Sequence, residues 1–144
     1  MAESQNYKNH VRFHAPFHFF LFPVLLFHFL YTIVRCIQDF SFDRAEAVVV
    51  SVALIVMLFL LRLNPLRVQD RVIRLEENLR YQKLLPAGTA LAAAELPIGK
   101  ITALRFASDE ELPELINRVL QGELKKPAEI KSAIKNWRAD KLRV

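Results

Sequence analysis

Two long apolar stretches occupy most of the N-terminal half of the chain. The first runs from Phe17 to Ile37 and is interrupted only by His18, His28, Thr32 and Arg35. The second, residues 45–63, carries no charge between Val48 and Leu61. Because an α-helix rises about 1.5 Å per residue, each stretch matches a hydrocarbon core of roughly 30 Å. The pattern predicts two membrane-spanning helices.

The link from Gln38 to Arg44 is too short for anything but an antiparallel helical hairpin, so both termini are expected on one side. Around this link acidic residues exceed basic ones by one, whereas in residues 62–83 basic residues exceed acidic ones by three. Positive residues stay on the cytoplasmic side, which predicts cytoplasmic termini. A hairpin buried in a soluble core is the less favoured alternative, since two such apolar runs are unusual in a small chain.

Local signals mark the ends of the two predicted spans. Pro16 suits the first turn of a helix, while Pro23 lacks a backbone N–H inside the first span and predicts a kink. Asp43 followed by Glu46 has the spacing of a capping box and predicts the start of the second span.

A different periodicity begins after Pro65. Val68, Val72, Leu75 and Leu79 recur at intervals of 4, 3 and 4, which predicts an amphipathic helix continuing to about Lys83. This stripe is expected to pack against the rest of the tail. A coiled-coil dimer is the alternative that the same spacing allows.

Shorter helices are predicted in the remainder of the tail. Residues 90–95 are rich in alanine, and residues 98–106 fit either strand or helix, of which helix is preferred. Ser108 and Glu111 have capping-box spacing ahead of an apolar stripe, and Gly122 suits the left-handed position after a helix. The stripe contains Leu112, Leu115, Ile116, Val119 and Leu120.

The last predicted helix begins near Pro127. Its apolar face is formed by Ile130, Ala133, Ile134 and Trp137, and its opposite face by Lys131, Lys135 and Arg138. The basic face is expected to be solvated, with anionic lipid as the second interpretation and nucleic acid a distant third. We take Lys131, Lys135 and Arg138 as candidate interaction residues. Arg35, near the C-terminal end of the first span, is a fourth.

These elements define an all-α protein: a transmembrane helical hairpin followed by a juxtamembrane amphipathic helix and a small cytoplasmic helical subdomain. The predicted segments are an N-terminal cytoplasmic tail (1–14), the hairpin (15–63), the amphipathic helix (64–84) and the subdomain (85–144).

Composition agrees with a membrane protein. Nine of the 11 phenylalanines lie between Phe13 and Phe42, so one part of the chain is solvated by apolar surroundings. The net charge of +5 next to apolar spans is typical of a cytoplasmic flank and does not require nucleic acid. Cys36 is the single cysteine, which excludes an intrachain disulfide and a cysteine-rich zinc site.

All four histidines, His10, His14, His18 and His28, lie in or just before the first span, where imidazole is a potential haem or chlorophyll ligand. Because no histidine lies on the second span and headgroup regions tolerate polar rings, we expect no cofactor. A haem or pigment held by His28, or by His18, is the alternative.

A polar stripe is expected on the first span. His28, Thr32, Arg35 and Asp39 are spaced at 4, 3 and 4 and therefore share a helical face. Arg35 is expected to pair with Asp39, while His28 and Thr32 turn toward the second span, where Ser51 lies at the depth of Thr32.

The chain lacks the usual signatures of catalysis. It has no glycine-rich phosphate loop, no Ser/His/Asp or Cys/His set, and no carboxylate pair with an evident pocket. Asp109, Glu110 and Glu111 suggest a metal site, but acidic residues in the first turn of a helix also oppose its dipole. An enzyme is therefore not expected, nor is a small-molecule substrate.

Three segments resemble a family of uncharacterised small bacterial two-span membrane proteins: QNYKNH at residues 5–10, ALRFASDEEL at 103–112, and IKNWR at 134–138 together with LRV at 142–144. The resemblance implies a protein of the bacterial inner membrane with this layout and a helix near Ile101. It implies no reaction, cofactor or catalytic residue.

The favoured function is a membrane-anchored interaction protein, an accessory or structural subunit of a larger bacterial inner-membrane complex. Its expected partners are membrane lipids and other membrane-protein subunits, without nucleic acid.

Overall fold

The computed structural model describes residues 14–140, which are helical throughout apart from turns and one isolated β-bridge. His10, most of the predicted N-terminal tail and the last four residues lie outside this range. The described residues comprise a π-helical turn and six α-helices, in agreement with the all-α prediction. Their bounds are Pro16–Leu21 for the π-helical turn, Phe22–Gln38 (α1), Phe42–Leu84 (α2), Ala87–Ala94 (α3), Ile98–Leu104 (α4), Leu112–Leu120 (α5) and Pro127–Ala133 (α6).

The chain divides into two compact units, residues 14–66 and residues 67–140, with the division inside α2. In the first unit, Pro16–Gln38 and α2 are both long and apolar enough to cross a membrane. Pro16–Gln38 coincides with the first predicted span, and α2 contains the second.

The π-helical turn lies directly before Pro23. The N–H of Phe22 bonds to the carbonyl of Phe17, five residues back instead of four. A proline ring clashes with the carbonyl four residues before it, and a widened turn is one way a helix accommodates that clash. The structure accommodates Pro23 with a π-helical turn, and the predicted kink stays a prediction.

The second span begins at Phe42, and its cap is Ser41. The Ser41 Oγ accepts a hydrogen bond from the N–H of Arg44 at 3.3 Å, the usual N-cap geometry. The predicted capping box of Asp43 and Glu46 is wrong, because Asp43 already lies in the first turn. Arg44 also closes the turn by pairing with the Asp39 carboxylate at 2.6 Å and bonding its carbonyl. Asp39 thus pairs with Arg44 instead of Arg35.

Thr32 and Ser51 join the two helices of the hairpin, as predicted. Their hydroxyl oxygens lie 3.2 Å apart and both residues are buried. Thr32 also lies within bonding distance of the Phe29 carbonyl, and Ser51 of the Val48 carbonyl, at 2.8 and 2.7 Å. Three contacts share two protons, so at most two of these hydrogen bonds exist at one time.

Helix α2 continues through Pro65 to Leu84 without a break. The predicted boundary between the second span and the amphipathic helix at residues 63 and 64 is therefore not a helix boundary. Pro65 costs the backbone one N–H donor, and the flanking turns maintain the helix.

In the second unit, the end of α2 contributes to the core a face different from the predicted stripe. Ile73, Glu77, Tyr81 and Leu85, spaced four residues apart, are buried. Their companions in the core include Ile101, Leu104, Phe106, Leu112, Ile116 and Ile130. The predicted packing of the Val68 to Leu79 stripe against the tail is wrong, because all four of its side chains are exposed.

The predictions for α3, α4 and α5 are confirmed. Gly122 has a φ of +80° after α5, the left-handed conformation expected there. Ser108 accepts a hydrogen bond from the N–H of Glu111 at 3.4 Å, but the Glu111 carboxylate does not return it. Its oxygens instead accept the N–H groups of Lys135 and Asn136, both at 3.1 Å. The capping box is therefore only half formed.

Helix α6 ends at Ala133, so the prediction that Trp137 belongs to it is wrong. Ile134 is extended, and Trp137 forms an antiparallel bridge with Ala107. The N–H of Arg138 bonds to the Phe106 carbonyl at 2.7 Å. Ile130 and Ile134 point inward whether the helix continues to Trp137 or ends at Ala133. Hydrogen bonding to the segment after α4 therefore decides where α6 ends.

Candidate functional site

A buried carboxylate lies in the middle of the packed face of α2. Glu77 is 4% exposed and is flanked one turn away on either side by Ile73 and Tyr81. A carboxylate in such a position is costly unless basic groups and hydrogen-bond donors surround it. We define the Glu77 cluster as Glu77, Arg80, Asp109 and Arg138.

Arg80 connects this cluster. Its Nη1 lies 3.2 Å from Oε2 of Glu77, one turn earlier on α2. Its Nη2 donates to the carbonyl of Ala107 at 2.7 Å and lies 2.6 Å from Oδ1 of Asp109. One guanidinium therefore joins α2 to the segment between α4 and α5.

Arg138 completes the surroundings of Glu77, with its Nη1 3.5 Å from Oε1. Burial raises the pKa of the Glu77 carboxyl above its usual value, although Arg80 and Arg138 favour the ionised form. Burial and the nearby Glu77 carboxylate raise the pKa of the Tyr81 hydroxyl. Within the part of the chain that the structure describes, this hydroxyl is buried without a hydrogen-bond partner.

The cluster forms one side of an open depression of about 550 Å³. Its lining combines acidic, basic and apolar side chains of α2 with those of residues 108–110 and Arg138. The charges at its floor are paired with one another. The arrangement can hold the subdomain together and present a mixed charged surface to a macromolecule.

The three basic residues predicted near the C-terminus do not share a helical face, since α6 ends before two of them. Lys131 is half-buried, with its Nζ 5.7 Å from the centre of the Phe106 ring. Lys135 is exposed, and Arg138 is exposed but paired with Glu77. Arg35 is exposed in the last turn of α1.

The candidate cofactor residues are also apart from each other. His18 lies in the π-helical turn, with Nδ1 3.0 Å from the carbonyl of His14. His28 is exposed, so the prediction that it turns toward the second span is wrong. Among residues 14–140, no three histidine, cysteine, aspartate or glutamate side chains are placed to hold a metal ion.

Comparison with known proteins places the whole chain, residues 1–144, within the model of a family of unknown function, DUF6526. The chain belongs to this family. No curated protein and no solved structure matches it. The DUF6526 model covers both compact units, so the two units occur together in one family.

In this DUF6526 protein the sequence pattern did not single out Glu77 and Arg80, and it suggested Asp109 only as part of a metal site. The signal for Glu77 is a second row, Ile73, Glu77, Tyr81 and Leu85, in which every member is four residues from the next. The apolar Val68 to Leu79 stripe ran beside it with a stronger pattern. A glutamate within an apolar row indicates a buried carboxylate that needs a basic partner.

Proposed function

We propose that this protein is a membrane-anchored interaction protein, an accessory or structural subunit of a larger bacterial inner-membrane complex. The hairpin crosses the membrane with both termini in the cytoplasm, and the helical subdomain docks other subunits there. We propose neither catalysis nor a resident cofactor.

The observation that carries this proposal is the contrast between the two units. In the most apolar windows of Pro16–Gln38 and of α2, only 6% and 11% of the residues are buried. Phe19, Phe27 and Leu61 are 71, 71 and 68% exposed. Soluble monomers rarely expose apolar surface on this scale, whereas a bilayer would solvate it.

The subdomain supports the interaction role in a different way. It buries a core of its own, including Tyr81, Phe106 and Ile130. The depression beside Glu77 is open and lined by charged as well as apolar side chains, unlike the enclosed apolar pockets that hold most small ligands. Such a surface suits a protein partner.

Membrane fractionation of the full-length protein tests the anchor. It should remain in the membrane pellet after an alkaline wash. Single-cysteine labelling in a Cys36→Ser background should then find Lys135→Cys protected from an impermeant reagent in intact cells and Asp39→Cys accessible. Recovery in the soluble fraction, or labelling of the two positions on one side, would contradict the proposal.

Isolation in mild detergent tests the partner. Another membrane protein should co-purify with this chain in a fixed ratio. It should no longer co-purify when the subdomain is destabilised. An isolated protein that has no such companion under several mild detergents would contradict the subunit role.

Haem or pigment ligation by His28 or His18 stays the alternative, and the exposed side chain of His28 on α1 is accessible to such a ligand. The purified protein should show no visible absorption band under the main proposal. A band that is lost in His28→Leu but kept in His18→Leu would instead establish the alternative.

A further inference from the structure

The apolar stripe of α2 has no partner within the described chain. Val68, Val72, Leu75 and Leu79 are 60, 47, 63 and 53% exposed, and we call them the α2 stripe. We propose that the α2 stripe packs against the same stripe of a second copy of this chain, in a short parallel helical pair. The surface is continuous along one face, since its spacings are 4, 3 and 4.

The stripe fills the a and d positions of a coiled coil with apolar residues. In heptad terms Val72 and Leu79 occupy a positions, and Val68 and Leu75 occupy d positions. At its centre Val72 at a and Leu75 at d are the combination that favours two parallel strands, whereas Leu79 at a and Val68 at d have the opposite order. Gln82, also exposed, is at the next d position and ends the apolar contact.

The charges beside the stripe complement those of a second copy. Arg71 occupies a g position and Glu76 the e position five residues later, and both are exposed. In a parallel pair each g residue lies near the e residue of the following heptad on the partner helix, which brings Arg71 to Glu76 twice. In an antiparallel pair, g residues lie near g residues and e residues near e residues, so the attraction between Arg71 and Glu76 is lost.

The subdomain leaves this face free. Ile73, Glu77 and Tyr81 lie on the other side of α2 and are buried in the core. Lys83, at the last e position of the stripe, is exposed, whereas Leu85, the first residue after α2, is buried. The helical pair therefore extends over residues 68–82 and stops just before α2 ends at Leu84.

Parallel orientation rests on the proposed membrane hairpin, because two copies inserted in the same direction carry their α2 helices out on the same side. The contact covers fewer than three heptads and is smaller than a standard stable interface of roughly 1,600 Å². Confinement of both copies to one membrane raises their effective concentration and offsets the small area.

Cysteine cross-linking in native membranes tests this pair with the full-length chain. In a Cys36→Ser background, Val68→Cys and Gln82→Cys place one thiol at each end of the contact, about 21 Å apart along the helix. Disulfides need Cα atoms within about 7 Å, so only a parallel, in-register pair joins each position to itself. Lys125→Cys is the control, because Lys125 is exposed in the link between α5 and α6.

We expect mild oxidation to convert Val68→Cys and Gln82→Cys to covalent dimers severalfold more efficiently than Lys125→Cys. Leu75→Arg should abolish dimers in the Val68→Cys protein, whereas Leu91→Arg, at an exposed leucine of α3, should not. Arg71→Glu should lower the dimer yield, and the double exchange Arg71→Glu with Glu76→Arg should restore it.

The proposal is overturned by equal cross-linking at all three positions, or by no cross-linking at either Val68→Cys or Gln82→Cys. A chain that stays monomeric while Leu75→Arg releases a different polypeptide also overturns it and assigns the stripe to that protein. Membrane flotation of the same samples separates the two proposals. Membrane-bound but uncross-linked protein refutes only the helical pair, whereas soluble protein refutes the anchor.

Discussion

Arg80 and Asp109, 29 residues apart in the chain, form an ion pair in which Nη2 and Oδ1 are 2.6 Å apart. The Arg80 side chain is only 10% exposed, and it also bonds the Ala107 carbonyl. The pair therefore holds the end of α2 against the segment that leads into α5.

Replacing Arg80 with alanine should strongly destabilise the subdomain. Glu77 would lose its nearest basic partner while remaining buried, and breaking a buried pair in this way costs about 3–5 kcal/mol. The control is Arg118→Ala, which breaks the exposed pair with Glu123 and should cost at most about 1 kcal/mol. Chemical denaturation in detergent, followed through Trp137 fluorescence, gives both values. Equal losses would contradict the structural role of Arg80.

Glu77→Gln should change the pH dependence of stability. Burial raises the pKa of Glu77 in the folded protein above the ordinary value of 4.5. The stability that this carboxyl contributes is fully present at pH values below its pKa in the unfolded chain. It is lost as the pH rises through its pKa in the folded protein. The wild type should therefore lose stability relative to Glu77→Gln as pH rises from about 4 toward neutrality. Thermal melts across this range test it, with Glu95→Gln, at an exposed position outside the Glu77 cluster, as the control. A difference that is independent of pH would show that Glu77 titrates normally.

Trp137→Ala should have a moderate effect. The indole is half-buried and lies 5.2 Å from the Phe106 ring, centre to centre, so we expect a loss of about 2 kcal/mol. Phe106→Ala, at a side chain only 2% exposed, should cost about 3–5 kcal/mol. Unfolding free energies give the comparison, and the emission maximum of this single tryptophan reports its exposure. A fully exposed emission spectrum would contradict the packing of residues 134–138.

Thr32→Val should barely alter the hairpin. The bond to Ser51 is one of three contacts that share two protons, and such interhelical bonds are worth about 0.6 kcal/mol. Ser51→Leu is the informative comparison, because Ser51 is 1% exposed and a larger side chain would separate the helices. Detergent-induced unfolding should show a clear loss only for Ser51→Leu. A large loss for Thr32→Val would mean that the hydroxyl pair is a principal contact of the hairpin.

Features that depend on neighbours along the chain were readable from the amino-acid sequence. The two apolar runs, the amphipathic continuation to Leu84 and the left-handed Gly122 follow from local periodicity and backbone preference. The Thr32 and Ser51 contact was also accessible, because a short link fixes which depths of the two helices meet.

Only the tertiary structure decided which face of α2 is buried and where α6 ends. Two rows of α2 were apolar enough to face the core. The row with Glu77 is buried because Arg80, one turn away on α2, and Arg138, from a distant part of the chain, neutralise its charge, while Arg80 is itself held by Asp109. Residues 134–138 leave the helix because backbone groups of residues 106–108 and the Glu111 carboxylate offer them hydrogen bonds. Such partners are far apart in sequence and meet only after the helices pack, so no local pattern encodes them.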